Sequence, residues 1–261
     1  MTVRRIVLFI VLPILLIAGI TGGLVHHYLI TREPEFERLF HAKKPFEMTR
    51  ALEEHVTRHP HDVTAWSIYG WHLGINLASY DPVRQAYYRQ AATRIYAQAI
   101  VANPRDPMLR FDLAWFYMMY EGDYRRAMIL LEPLVKTPDR FVPTKPAAWV
   151  KEEDKEKWDA KATINRLAYA YKKIGVVTGD WQYIERAIDL YRFQLQLDPK
   201  AVTAKRNLKD LQGNLHKKSW LIEQQKKEEK IRKALGMPAL HMGDSLEKLF
   251  PDATTGIEGI P

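Results

Sequence analysis

Apolar residues recur along most of this chain at intervals of three and four, the period of a helix with one buried face, while Val, Ile or Thr alternating with polar residues over strand lengths are scarce. The pattern predicts an all-α protein. Trp66, Tyr69, Gly70 and Leu73 form one apolar set, Leu113, Ala114 and Tyr117 a second, and Ile164, Leu167, Ala168 and Tyr171 a third. Each is followed by a set that mixes small and bulky residues and closes on proline. These are Ala92, Tyr96, Ala99, Pro104, then Ala127, Leu131, Leu134, Pro138, and in weaker form Ala187, Tyr191, Gln194, Pro199. Small residues let two antiparallel helices approach closely, bulky ones fill the space beside them, and proline stops the second helix.

The first such pair runs from Val63 to Pro104, with surplus residues around Ala78 to Pro82, where Asp81-Pro82 suits a turn between lengthened helices. The second, Pro107 to Pro138, is the most regular, with Glu121-Gly122-Asp123-Tyr124 at its turn. Pro138, Pro143 and Pro146 then break the helix and mark an insertion, with Pro146 placed to open a new helix through Trp149 and Trp158. The third pair, Lys161 to Pro199, carries extra residues around Val176 to Trp181. Ahead of the pairs, Phe46 to Arg58 reads as a lone second helix ending at Pro60, and 31–45 as a short helix or spacer between Pro34 and Pro45. Behind them, Ala204, Leu208, Leu211 and Leu215 keep helical spacing and cover the last apolar face, as a terminal cap must. That helix is expected to continue unbroken to Leu235, where Gly236 and Pro238 end it, and 236–261 reads as an extended tail.

The spacing of these sets resembles the tetratricopeptide repeat, a helix-turn-helix unit of about 34 residues that stacks into a solenoid. The resemblance covers about Phe46 to Leu215 and implies a solenoid of about three repeats in a domain over 46–235. It also implies that the chain binds a protein or peptide and is not an enzyme. In that family the concave surface is lined by set places on the first helix of each repeat. Carried over, the first repeat presents Thr64, Ser67, Trp71 and Ile75, the second Met108, Phe111, Trp115, Met118 and Met119, and the third Asn165, Tyr169, Lys172 and Lys173. Such a groove is aromatic and Met-rich at one end and basic at the other, which suits an apolar peptide or helix. The competing reading places several of these residues in the core beneath the Trp149–Trp158 insertion. Only Asn165, Lys172 and Lys173 match the places by which some relatives grip a terminal carboxylate, so a receptor for chaperone tails is not expected.

One segment changes the picture. Ile6 to Val25 holds no charged residue, and at about 1.5 Å per residue it covers about 30 Å, the thickness of a bilayer's hydrocarbon core. The expectation is a single transmembrane helix within 1–30, with Arg4 and Arg5 inside and the repeats outside, which places the chain at the inner membrane with a periplasmic repeat domain. A cleaved leader is the competitor, but no small-x-small cleavage site follows. Gly19 and Gly23 form a Gly-x-x-x-Gly at which a second spanning helix can pack. His26 and His27 stand about 100° apart on a helix and cannot share a metal there.

Composition narrows the chemistry further. With no Cys the chain has neither disulfides nor thiolate metal sites, and 47% hydrophobic with 27% charged residues is ordinary for a folded protein. Ten Lys or Arg between Ala201 and Leu235 face four acids, a net six of the chain's +8, and read as a solvated helix face or a contact for an acidic surface. His55, His59 and His61 lack a completing ligand at metal spacing, and no nucleophile elbow, phosphate loop or His-Glu-x-x-His occurs. No cofactor, metal or nucleic-acid partner is expected. Two functional readings remain: an adaptor that binds a protein or peptide during assembly of a membrane or periplasmic complex, and a permanent accessory subunit of such a complex.

Overall fold

The computed structural model describes residues 34–143 and 159–237, and every regular element among them is helical. These residues fall into two compact units, one containing 34–109 with 142–143, the other 110–141 with 159–237.

In the first unit, α1 (Glu35–His41) folds back on α2 (Pro45–Arg58) through a turn in which Lys43 takes a left-handed φ of 54°. The stretch read as a short helix or spacer therefore contains a helix, whose buried Phe36 meets the His55 ring of α2 edge-on at 5.1 Å. Pro45 opens α2 at a position where its missing N–H costs nothing. Asp62 caps α3 (Val63–Trp71) by accepting from the Ala65 N–H at 3.0 Å. This helix runs on through a π-helical stretch, His72–Leu77, and a last turn, Ala78–Tyr80. After the Asp81-Pro82 turn, α4 (Gln85–Ala102) returns along it with Tyr88, Ala92, Tyr96 and Ala99 buried.

Gly70 is what lets α3 and α4 pack. A Cβ there would lie 2.5 Å from the Tyr96 ring, inside any tolerable contact. The buried Asn103 ends α4 and donates to the carbonyls of Pro60 and Ala99, tying that end to the turn after α2.

The second unit holds the rest of α5 (Pro107–Phe116), which again passes into a π-helical stretch, Tyr117–Glu121. Gly122 stops it at φ 63°, a left-handed conformation that costs glycine little, and Asp123 caps α6 (Tyr124–Lys136). The same device recurs one pair later. Asp159 caps α7 (Ala160–Thr178), Gly179 ends it at φ 75°, and Asp180 caps α8 (Trp181–Leu197). Ile184, Ala187, Ile188 and Tyr191 of α8 are buried, and α9 (Val202–Asn214) covers α8 with Ala204 and Leu211.

Two expectations are corrected here. The long capping helix is two helices, α9 and α10 (Lys218–Ala234), because His216 adopts a left-handed φ of 62° and breaks the run between them. The fold class with a leading transmembrane helix is also not supported: among the described residues no helix is long and apolar enough to cross a membrane. The inner-membrane and periplasmic placement is likewise not supported. Residues 6–25, Gly19 and Gly23 lie outside the described residues, as do the Trp149–Trp158 helix and the tail beyond Met237.

Candidate functional site

The residues assigned to the concave face divide by burial. In the first unit Trp71 is 42% exposed at the end of α3, while Ile75 on the π-helical stretch and Met108 at the start of α5 are half-buried. In the second unit Phe111 and Met118 are buried, Trp115 is half-buried and Met119 is 42% exposed. A π turn takes up an extra residue, so a register counted along a regular α-helix is displaced beyond it. Met118 and Met119 sit on such a turn, and one points in where the other points out.

Phe111 is covered by α7. The Arg166 guanidinium lies 3.5 Å from the centre of its ring and donates to the Phe111 carbonyl at 3.3 Å, and it stands 5.7 Å from the ring of Trp115. A cation stacked so closely on an aromatic face both stabilises the pair and keeps a partner's side chain from reaching it. Next along α7, Asn165 is half-buried and Tyr169 is exposed at the surface. Lys172 pairs with Asp210 of α9 at 3.3 Å.

Lys173 reaches a different helix. It donates to the Glu228 carboxylate of α10, which also accepts from the Tyr124 hydroxyl at 2.6 Å. Arg232, one turn further along α10, stands 3.5 Å from the same carboxylate and donates to the carbonyl of Gly122. Its guanidinium also lies 5.5 Å from the centre of the Tyr124 ring. Glu228 is 2% exposed and Arg232 5%. Gln225 adds a bond to the Val176 carbonyl at 2.9 Å, and the Trp220 ring stacks on Trp181 at 6.3 Å. The basic C-terminal helix is thus seated on the α7 face, and only its outer side is solvated.

Burial opposes charge on Glu228, yet the hydrogen bonds from Lys173 and Tyr124 and the charges of Lys173 and Arg232 outweigh it and hold the carboxyl below its ordinary value. Tyr124 is pushed up, by burial first and then by the hydrogen bond and charge of Glu228, so its hydroxyl keeps the proton that it donates. A cavity of about 180 Å³ remains between α7 and α10, lined by Tyr169, Lys172, Lys173, Val176, Gln224, Lys227, Glu228 and Ile231. It is below the range of about 300–1,000 Å³ usual for small-molecule sites.

The meeting of Tyr124 and Gly122 with Glu228 and Arg232 escapes a reading of the sequence. An inward Glu and Arg four apart look like one more exposed pair on a charged helix, and nothing local marks them as buried. The histidines have local partners instead of a common ligand. His55 bonds Asp62 at 2.9 Å and tilts against His59, and His61 bonds Asn103 at 3.3 Å. His72, buried on the π-helical stretch, bonds the Pro45 carbonyl at 2.8 Å and Thr49 at 3.1 Å.

No family model matches the chain, and no curated protein matches it. Among solved structures, one titled as a MamA RS-1 ArsTM double mutant is similar at 16% identity and a TM-score of 0.47, covering 76% of this chain and 91% of its own. Likeness at that level says nothing of partner or activity.

Proposed function

We propose that this chain is a non-catalytic scaffold of tetratricopeptide-like helix pairs that binds a helical or extended segment of another protein. One observation carries the reading: the face made by α7 and the start of α6 already holds a helix, α10, gripped through a buried carboxylate and guanidinium. A surface that seats one helix through its first-helix register has the shape and polar chemistry for helix-in-groove recognition. The half-exposed Trp71 and Met119, on the first helices of their pairs, offer apolar surface to a partner. Aromatic and Met side chains supply large, adaptable contact area at such sites.

Site-specific photo-crosslinking in the native host tests this. A benzophenone amino acid at Trp71 or Met119 should capture a discrete protein, and the same group at Val101 or Val202, 81% and 77% exposed on second or capping helices, should not. Equal capture from all four positions, or none from any, overturns the scaffold. Purification in high salt then separates the two modes of use. A stoichiometric complex that survives marks a permanent subunit, and one displaced by peptide marks an adaptor.

A further inference from the structure

The way α10 is seated changes the charge of its outer side. Counted along the sequence, Asp210, Glu223, Glu228 and Glu229 offset part of the basic stretch from Ala201 to Leu235. In the fold most of these acids are engaged elsewhere. Glu228 is buried on Lys173 and Arg232, Asp210 pairs with Lys172 of α7 at 3.3 Å, and Glu223 pairs with Lys227 at 2.6 Å. Only Glu229 is left to offset the outward lysines, and no carboxylate among the described residues pairs with Lys218, Lys226, Lys230 or Lys233. The acids that made this stretch look balanced are spent on its inner side.

The lysines are also ordered. Lys226, Lys230 and Lys233 stand at i, i+4 and i+7, so they share one side of the helix, away from the buried Leu221, Glu228 and Arg232. Ser219 and Ile222 lie on the same exposed stripe, and Ile222 is 51% exposed. Because the Trp220 ring stacks on Trp181, Gln225 bonds the Val176 carbonyl and Glu228 is held by Lys173, the helix cannot roll, and the stripe is presented in one orientation. On α9, Lys205, Arg206 and Lys209 occupy exposed positions too and add to the positive potential of this unit.

The residue types select among anionic partners. The one arginine of α10, whose planar fork fixes geometry on a carboxylate, is turned inward at position 232, and every outward cation on the helix is a lysine. The one tryptophan is turned inward as well, so the stripe has no ring on which a base can stack. Lysines are point charges on long apolar stems, suited to a surface of phosphates that requires no fixed register, with the stems and Ile222 lying along its apolar edge. We propose that the outer side of α10 is a docking surface for anionic lipid headgroups, with Lys226, Lys230 and Lys233 on the phosphates and Ile222 at the boundary with the acyl chains. This is a peripheral contact of one helix face. It needs no helix that crosses the bilayer, and it stands independently of the scaffold reading.

The chain has no cysteine, so Ser219→Cys provides a single thiol for an environment-sensitive fluorophore within the stripe, and Val101→Cys, on α4 and 81% exposed, provides the control. Each labelled full-length chain is mixed with phosphatidylcholine vesicles with and without phosphatidylserine. Emission from position 219 should shift to the blue only on the vesicles that contain phosphatidylserine, the shift should reverse as salt is raised, and position 101 should not respond. Lys226→Gln, Lys230→Gln and Lys233→Gln together keep helix propensity and should weaken the apparent affinity read at position 219 about a hundredfold at low salt, the sum of three lysine contacts. Circular dichroism and Trp220 fluorescence verify that this variant keeps its fold. An equal shift on phosphatidylcholine alone overturns the inference, as does a chain that floats with vesicles while position 219 stays in water, which assigns the contact to another segment. An unchanged affinity of the triple variant overturns it too. The same blue shift with soluble poly-glutamate in place of vesicles assigns the stripe to an acidic protein and overturns the lipid partner.

Discussion

Gly70→Ala should destabilise the first unit, although a glycine in an exposed helix normally gains from this change. Replacing a mid-helix Gly by Ala stabilises by about 0.5–1 kcal/mol through backbone entropy. Here the new methyl meets Tyr96 Cε2 and Cζ at 2.5 Å and Cδ2 at 2.8 Å, where ordinary contact begins at 3.4 Å. The ring has to retreat by close to an ångström. Tyr96 is 1% exposed and its hydroxyl donates to the Ser67 carbonyl at 3.4 Å, so it has no free volume to enter. Overpacking of a filled core costs about 1–3 kcal/mol, which exceeds the entropic gain and leaves a net loss of about 1–2 kcal/mol. In a unit of this size that lowers Tm by roughly 4–8 °C per kcal/mol.

Thermal and urea unfolding of Gly70→Ala, Tyr96→Leu and the double variant measure the effect and its cause together. Tyr96→Leu alone should destabilise by removing buried ring atoms. In its background the added methyl should cost nothing or stabilise, a coupling of about 1–3 kcal/mol. A neutral or stabilising Gly70→Ala, or additive single effects, refutes the close approach of α3 and α4 as the reason for glycine at this position.

Other predictions concern burial and pH. Burial, the larger influence, holds His72 below its ordinary value of 6.5 against the opposing pull of the Pro45 carbonyl. Its neutral form is therefore preferred on folding, so stability is complete above 6.5 and declines as pH falls toward the depressed native value. His72→Gln, which keeps a donor for Pro45, should remove that slope from urea midpoints taken between pH 7.5 and 5, and an unchanged slope sinks the assignment. Glu228 is depressed from 4.5, so the docking of α10 is complete above that value and lost as pH falls through the native one. Trp220 fluorescence or α10 hydrogen exchange should report that release in acid, and Glu228→Gln should abolish its pH dependence. Phe111→Ala should cost about 3–5 kcal/mol because the ring is buried beneath Arg166, whereas Trp71→Ala and Met119→Ala should stay within about 1 kcal/mol of wild type and lose partner capture. A stable Phe111→Ala would return that residue to the binding surface.

What the sequence determined by itself is the set of paired helices, because these follow from local rules. Helical period, the small residues Gly70 and Ala92, the prolines after the second helices and the Gly122-Asp123 turn each act within one helix-turn-helix unit. α1 was legible only as a short helix or spacer between Pro34 and Pro45, because Phe36 gains its burial from α2. The π-helical stretches His72–Leu77 and Tyr117–Glu121 have no marker in their residues, and on the second of them Met118 is buried and Met119 exposed.

Tertiary structure alone decided that the basic helix is a separate element and that it lies on the array. The break at His216 is a left-handed residue without the glycine that would announce it. The contacts that seat α10 join Lys173, Tyr124 and Gly122 to Glu228 and Arg232 across 55, 104 and 110 positions of sequence. A charge on a helix is read from its neighbours as solvated, since burial is costly without a partner, and here the partners come from elements brought near only by folding.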